Sequence, residues 1–175
     1  MRRLGGSLYL AAVVVALASC SLKVSDVTVV GEEQFNAVWA ADWAAVNTAA
    51  KPLVPSAGLP GVCNPGGGAN ACARTSQNMV AALSKLKTDL AAVHTPHQFV
   101  AASITIQRAS EIQNKGMTDL SNAIAAQDNT LFNKAKTELT QGATLFVQGY
   151  ALFPSGLHPS PQPFGCGVPG CHTSA

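Results

Sequence analysis

Apolar residues recur at helical spacing in four stretches of this chain, and the clearest of them lies near its middle. At alternating steps of four and three residues, this stretch carries Met79, Leu83, Leu86, Leu90 and Val93. The spacing places these side chains along one side of a helix and is typical of the contact stripe of a helical bundle. The pattern predicts a helix that ends before His94.

Three other stretches predict helices over residues 32–53, 96–126 and from the 127–130 turn to about 153. Their start signals are Glu32 and Glu33 in a first turn, a capping box of Thr95, Pro96 and Gln98, and Asp128 or Asn129 as an N-cap. In the third of the four predicted helices, Gly116 either kinks the helix or lets a neighbouring helix approach closely.

The connections between these helices predict their arrangement. A Pro/Gly-rich loop over residues 55–72 makes the first connection long, whereas the later connections are short. We therefore predict an all-α fold, an up-down-up-down four-helix bundle over residues 32–153. A tether at 20–31, in which 27–30 can form a brief extended segment, precedes the bundle. A Pro/Gly-rich tail at 154–175, extended or polyproline-like, follows it.

The N-terminal segment has the features of an export signal. Arg2 and Arg3 precede an apolar run over residues 8–18, which is too short to span a bilayer comfortably. Its end, Leu17-Ala18-Ser19-Cys20, resembles the lipobox of bacterial lipoproteins, in which an aliphatic and two small residues precede a cysteine. The resemblance implies that residues 1–19 are a signal peptide, that Cys20 receives a diacylglyceryl thioether, and that the new N-terminus is often acylated.

Lipidation of Cys20 makes the membrane an expected partner, because two acyl chains anchor a protein stably where one does not. The expected location is the extracytoplasmic side of the cell membrane or outer membrane. Removal of Arg2 and Arg3 leaves equal numbers of basic and acidic residues. The remaining chain has no basic block interleaved with aromatic residues, so we do not expect nucleic acid as a partner. The resemblance is confined to the N-terminal segment and implies nothing about the helical body.

Four further cysteines, Cys63, Cys72, Cys166 and Cys171, predict two disulfides in an exported chain. Three pairings are possible. Local pairing joins Cys63 to Cys72 and Cys166 to Cys171 and closes two short loops. Crossed pairing instead ties the C-terminal tail to the long first connection. We favour local pairing.

The second of these loops, "CGVPGCH", also permits a redox or carrier function. Covalent haem attachment needs two thiols followed directly by a histidine, and Cys166, Cys171 and His172 supply them with four residues between the thiols. The motif loosely resembles that of cytochrome c-prime, a four-helix bundle with haem near its C-terminus. That family carries the motif inside its last helix, whereas here Gly165, Gly167, Pro169 and Gly170 are incompatible with a helix.

Metal binding is the related alternative. Reduced Cys166 and Cys171, with His158 and His172, are suitable ligands for zinc or copper. A short cysteine spacing in an exported protein is more often a structural disulfide, and we therefore predict no cofactor and no metal site. His94 and His97 flank a predicted helix start and are expected to face solvent.

Motifs for catalysis are absent from the sequence. It contains no G-x-S-x-G, phosphate loop, H-E-x-x-H or Glu-x-x-His pair. Trp39 and Trp43 are expected to fill the core, with Asp42 to one side, although this trio can also line a ligand slot. The polar side of the third helix, with Arg108, Glu111 and Lys115, is expected to be a solvated face. The predicted function is a non-catalytic binding or interaction module for a protein or small ligand.

Overall fold

The computed structural model describes residues 24–53, 61–63 and 68–160. It contains four α-helices, α1 (Val24–Ala50), α2 (Ala69–Ala92), α3 (Val100–Ala126) and α4 (Asn129–Ala151). Short 3-10 turns follow α1 at Lys51–Leu53 and precede α3 at His97–Phe99. The described ranges contain no β-strand. The predicted all-α four-helix fold is confirmed.

Neighbouring helices run antiparallel, across the long first connection as well as across the short later ones. Contacts between α3 and α4 pair Ile106 with Gly149, Gln113 with Gly142 and Gly116 with Leu139, so one helix ascends as the other descends. In the same way Asp42 of α1 meets Lys85 of α2, and Gly31 of α1 lies against His94 just beyond the end of α2. We call the end that holds the start of α1, the His97–Phe99 turn and the residues after α4 the proximal end. The distal end holds Cys63 and the turn between α3 and α4.

The core follows the predicted apolar stripes. Its largest fully buried side chains include Phe35, Trp39, Leu83, Leu86, Leu90, Phe99 and Ile106. Glycine brings α3 and α4 close together, since a Cβ atom at Gly142 would lie 2.3 Å from Cγ of Gln113 and one at Gly116 would lie 2.9 Å from Cγ of Leu139. Gly116 is buried against Leu139, so the close approach of a neighbouring helix that was one of its two predicted roles is observed.

The first helix begins earlier than the sequence pattern predicts. α1 starts at Val24 rather than Glu32, so the segment predicted as a tether is helical from Val24 onward and its Val27–Val30 stretch is not extended. α1 continues through Gly31, whose missing side chain leaves room for His94: its Cδ2 would lie 3.3 Å from a Cβ at that position. The Glu32–Glu33 pair therefore lies inside the helix, not in its first turn.

The predicted capping box before α3 is wrong, whereas the cap of α4 is confirmed. Thr95 Oγ1 donates to the carbonyl oxygen of Val93 at 3.5 Å, and no side chain caps the His97–Phe99 turn. Gln98 Nε2 instead donates to Glu32 Oε1 on α1, so Gln98 makes a hydrogen bond to another helix in place of the predicted capping hydrogen bond. Asp128 does cap α4: its Oδ1 accepts from the backbone nitrogens of Thr130 at 2.8 Å and Leu131 at 3.0 Å.

A disulfide joins Cys63 to Cys72, with Cα atoms 4.7 Å apart, and confirms local pairing for these two residues. Cys72 lies fully buried in the first turn of α2, so the bond ties the long first connection to the distal core. The predicted Cys166–Cys171 pair lies outside the described residues.

Candidate functional site

Seven aromatic side chains meet in the proximal half of the bundle. They are Phe35, Trp39, Trp43, Phe99, Phe146, Tyr150 and Phe153. Trp39 and Trp43 stack with ring centroids 5.3 Å apart and planes 8° apart, as one helical turn on α1 permits. Phe153 packs edge-on against Phe99 at 5.1 Å. Both tryptophans are fully buried, which confirms that they fill the core.

Residues after α4 fold back onto this aromatic cluster. The Tyr150 hydroxyl donates to the carbonyl oxygen of Pro159 at 3.0 Å, and Pro159 is buried. The His158 ring lies 5.1 Å from that of Tyr150 and 6.4 Å from that of Phe153. The first part of the predicted tail, through Ser160, therefore packs on the proximal end of the bundle.

Asp42 is buried between α1 and α2 with one charged partner. The residue is 2% exposed; its Oδ1 accepts from Nζ of Lys85, and Oδ2 has no hydrogen-bond partner in the described structure. Lys85 also contacts Asp89 at 2.5 Å and keeps 58% of its side chain exposed. The hydrogen bonds that Lys85 donates to Asp42 and Asp89 raise the pKa of Lys85, and the ammonium in turn lowers the pKa of Asp89. This ion pair orients Lys85 across the helix interface, and the sequence alone had not paired these residues.

A second group of charges joins α3 to α4 in the distal half. Lys134 Nζ lies 2.8 Å from Asp119 Oδ2 and 3.8 Å from Glu138 Oε1. Lys115 contacts Glu138 and lies 3.7 Å from Asp119. The hydrogen bond from Lys134 lowers the pKa of Asp119, and the same bond raises the pKa of Lys134. These four side chains form a network that stabilises the helix pair.

The polar side of α3 differs in detail from the predicted solvated face. Glu111 reaches across to Lys87 of α2 at 2.5 Å, and Lys115 pairs with Glu138 of α4 as well as with Asp119 of its own helix. Both side chains remain exposed to solvent, as predicted. Lys87 and Glu138 lie on different helices because α3 has a neighbour on each side.

The exposed large apolar side chains are concentrated in two uncharged segments of the chain. Residues 90–107 and 139–160 contain no Asp, Glu, Lys or Arg, and these two segments build much of the proximal half. In the described part of the chain, the exposed large apolar side chains are Val100, Ile104, Val147, Leu152 and Leu157. All of them belong to these two uncharged segments. This surface is the candidate functional site that the sequence analysis missed, because its members come from separate parts of the chain.

The histidines predicted to face solvent do so. His94 and His97 are exposed, and so is His158, one of the four candidate metal ligands. Cys166, Cys171 and His172, the other three, lie outside the described residues, as does the lipidation candidate Cys20. Among the residues that the structure describes, no three His, Cys, Asp or Glu side chains cluster as a metal site would require. No helix in these ranges combines the length and apolar character needed to cross a bilayer.

Comparison of the chain with protein-family models, with curated protein sequences and with solved structures finds no match.

Proposed function

We propose that this protein is a lipid-anchored, extracytoplasmic helical bundle of the bacterial cell envelope that acts as a non-catalytic binding or interaction module. The observation that carries the proposal is the Leu17-Ala18-Ser19-Cys20 motif at the end of the apolar run that begins at residue 8. Acylation of Cys20 attaches the chain to a membrane without a spanning helix.

The position of α1 supports this arrangement. Three residues, Ser21 to Lys23, separate Cys20 from the first residue of α1, Val24. A linker of this length spans about 10 Å when extended. The bundle is thus held close to the bilayer by its proximal end, which favours a module that works at the membrane surface.

The charges of the bundle support an interaction module rather than an enzyme. The ion pairs of Lys87 with Glu111 and of Lys134 with Asp119 join neighbouring helices. These groups therefore act in packing, and the sequence carries none of the motifs for nucleophilic, phosphoryl-transfer or metallopeptidase chemistry.

The test is the variant Cys20→Ser in a bacterial host, followed by fractionation and by mass spectrometry of the N-terminal peptide. The native protein should fractionate with membranes, and its first mature residue should be Cys20 with an acyl mass. The variant should lose the acyl mass and leave the membrane fraction. The double variant Cys166→Ser/Cys171→Ser is the matched control, because it removes thiols but retains the lipobox. Membrane association that is unchanged in Cys20→Ser would refute the proposal.

A further inference from the structure

We propose that the proximal end of the bundle docks on the bilayer itself, with Val100, Ile104, Leu152 and Leu157 in contact with lipid. The inference rests on the lipid anchor proposed above and adds a second contact to it. Its occupant is the phospholipid surface in which the acyl chains of Cys20 are embedded.

The four side chains lie close to one end of the molecule. Val100 is the first residue of α3, and Ile104 follows one turn later, about 6 Å along the helix. Leu152 directly follows α4. Leu157 lies in the segment after α4 that the hydrogen bond from Tyr150 to Pro159 holds against the bundle. Ile104 is 61% exposed and Leu152 is 49% exposed, so their apolar atoms are available to a partner.

The end that carries these residues is also the end nearest to Cys20. α1 begins at the proximal end, and Gly31 on its second turn lies against His94 and Pro96, which precede α3. A chain tethered through Ser21 to Lys23 therefore presents its proximal end to the membrane. This position favours lipid over a soluble protein as the occupant.

The uncharged character of the two segments lowers the cost of contact with a bilayer. Burial of an unpaired charge at the boundary between headgroups and acyl chains is expensive, and residues 90–107 and 139–160 supply no such charge. On α1, Glu32 is half-buried and accepts from Gln98, while Glu33 is exposed. The distal network around Lys134 is unsuited to the same contact. The attraction that these two segments contribute is therefore apolar, and we expect it to depend little on salt or on anionic lipid.

The test is photocrosslinking of the full lipidated chain in phosphatidylcholine vesicles. The variant Ile104→p-benzoylphenylalanine places the crosslinker on the proposed contact. Its matched control, Asn122→p-benzoylphenylalanine, uses an exposed position 18 residues later on the same face of α3, about 27 Å farther from the proximal end. Val100 and Thr118 form a second pair with the same offset, which guards against a variant that fails to fold.

We expect a lipid adduct, seen as added phospholipid mass on the probe peptide, to be several-fold more abundant at position 104 than at 122, in both low and high salt. Flotation with vesicles and the acyl mass on Cys20 report separately on the anchor. If the chain floats but lipid adducts are equally abundant at positions 104 and 122, the docking inference is overturned while the proposed anchor stands. A protein adduct at position 104 would have the same meaning. A chain without acyl mass that does not float would refute the proposed function, and the docking inference with it.

Discussion

The proximal and distal halves of the bundle are stabilised by different chemistry. In the proximal half, seven aromatic rings pack around α1 and the end of α4, and the segment up to Ser160 folds over them. In the distal half, Lys115, Asp119, Lys134 and Glu138 join α3 to α4, and the Cys63–Cys72 bond restrains the long connection.

The difference shows how an alanine-rich bundle compensates for small side chains. Aromatic contacts add about 0.5–1.5 kcal/mol per pair beyond the burial of area, whereas exposed ion pairs contribute about 0–1 kcal/mol each. We therefore expect the proximal half to contribute more free energy of unfolding per residue, and the distal half to rely more on its disulfide.

The largest expected effect is the loss of a proximal ring. Trp39→Ala should lower the free energy of unfolding by about 3–5 kcal/mol, because it leaves a cavity among buried rings. Phe132→Ala removes a partly buried distal ring and should cost about 1–2 kcal/mol. Denaturant unfolding followed by circular dichroism measures both. Equal losses would contradict the proposed difference between the halves.

The helices are the part of this fold that the sequence predicts well. The stripe from Met79 to Val93 repeats over several turns, and such periodicity depends only on neighbours in the same helix. The start of α3 was predicted less well, because Gln98 bonds to Glu32, which lies 66 residues away along the chain. The start of α1 was missed because residues 21–31 have no regular apolar spacing, although the helix begins at Val24 and Gly31 within it packs against His94.

Neither the buried ion pair nor the candidate site was predicted from the sequence. Asp42 and Lys85 lie 43 positions apart along the chain, and the aspartate is buried where α1 meets α2. The uncharged surface combines residues of α3 with residues after α4, and it becomes visible only when the topology brings those segments to one end. A long interval without charge after Glu138 is the sequence signal that could have indicated it.

The second prediction concerns the distal disulfide. The double variant Cys63→Ala/Cys72→Ala should lose about 2–3 kcal/mol of unfolding free energy, because the unfolded chain regains the entropy of a short closed loop. Hydrogen exchange should show that backbone amides lose protection mainly in the first turns of α2. Amides around the aromatic cluster should keep their protection. Cys166→Ala/Cys171→Ala is the control. Loss of protection across the proximal half would mean that the two halves are not separable.

The smallest expected effect comes from the distal ion pairs. The hydrogen bond from Lys134 lowers the pKa of Asp119 in the folded chain below its ordinary value. A carboxyl of this kind stabilises the fold above its unfolded-state pKa of about 4, and the contribution is lost as the pH falls through the lower folded-state pKa. Asp119→Asn should therefore flatten the acid side of the stability–pH curve and cost less than about 1 kcal/mol at neutral pH, less still in high salt. Parallel curves for the variant and the native chain would show that this pair contributes nothing to the distal half, which would then rely on its disulfide and its apolar core.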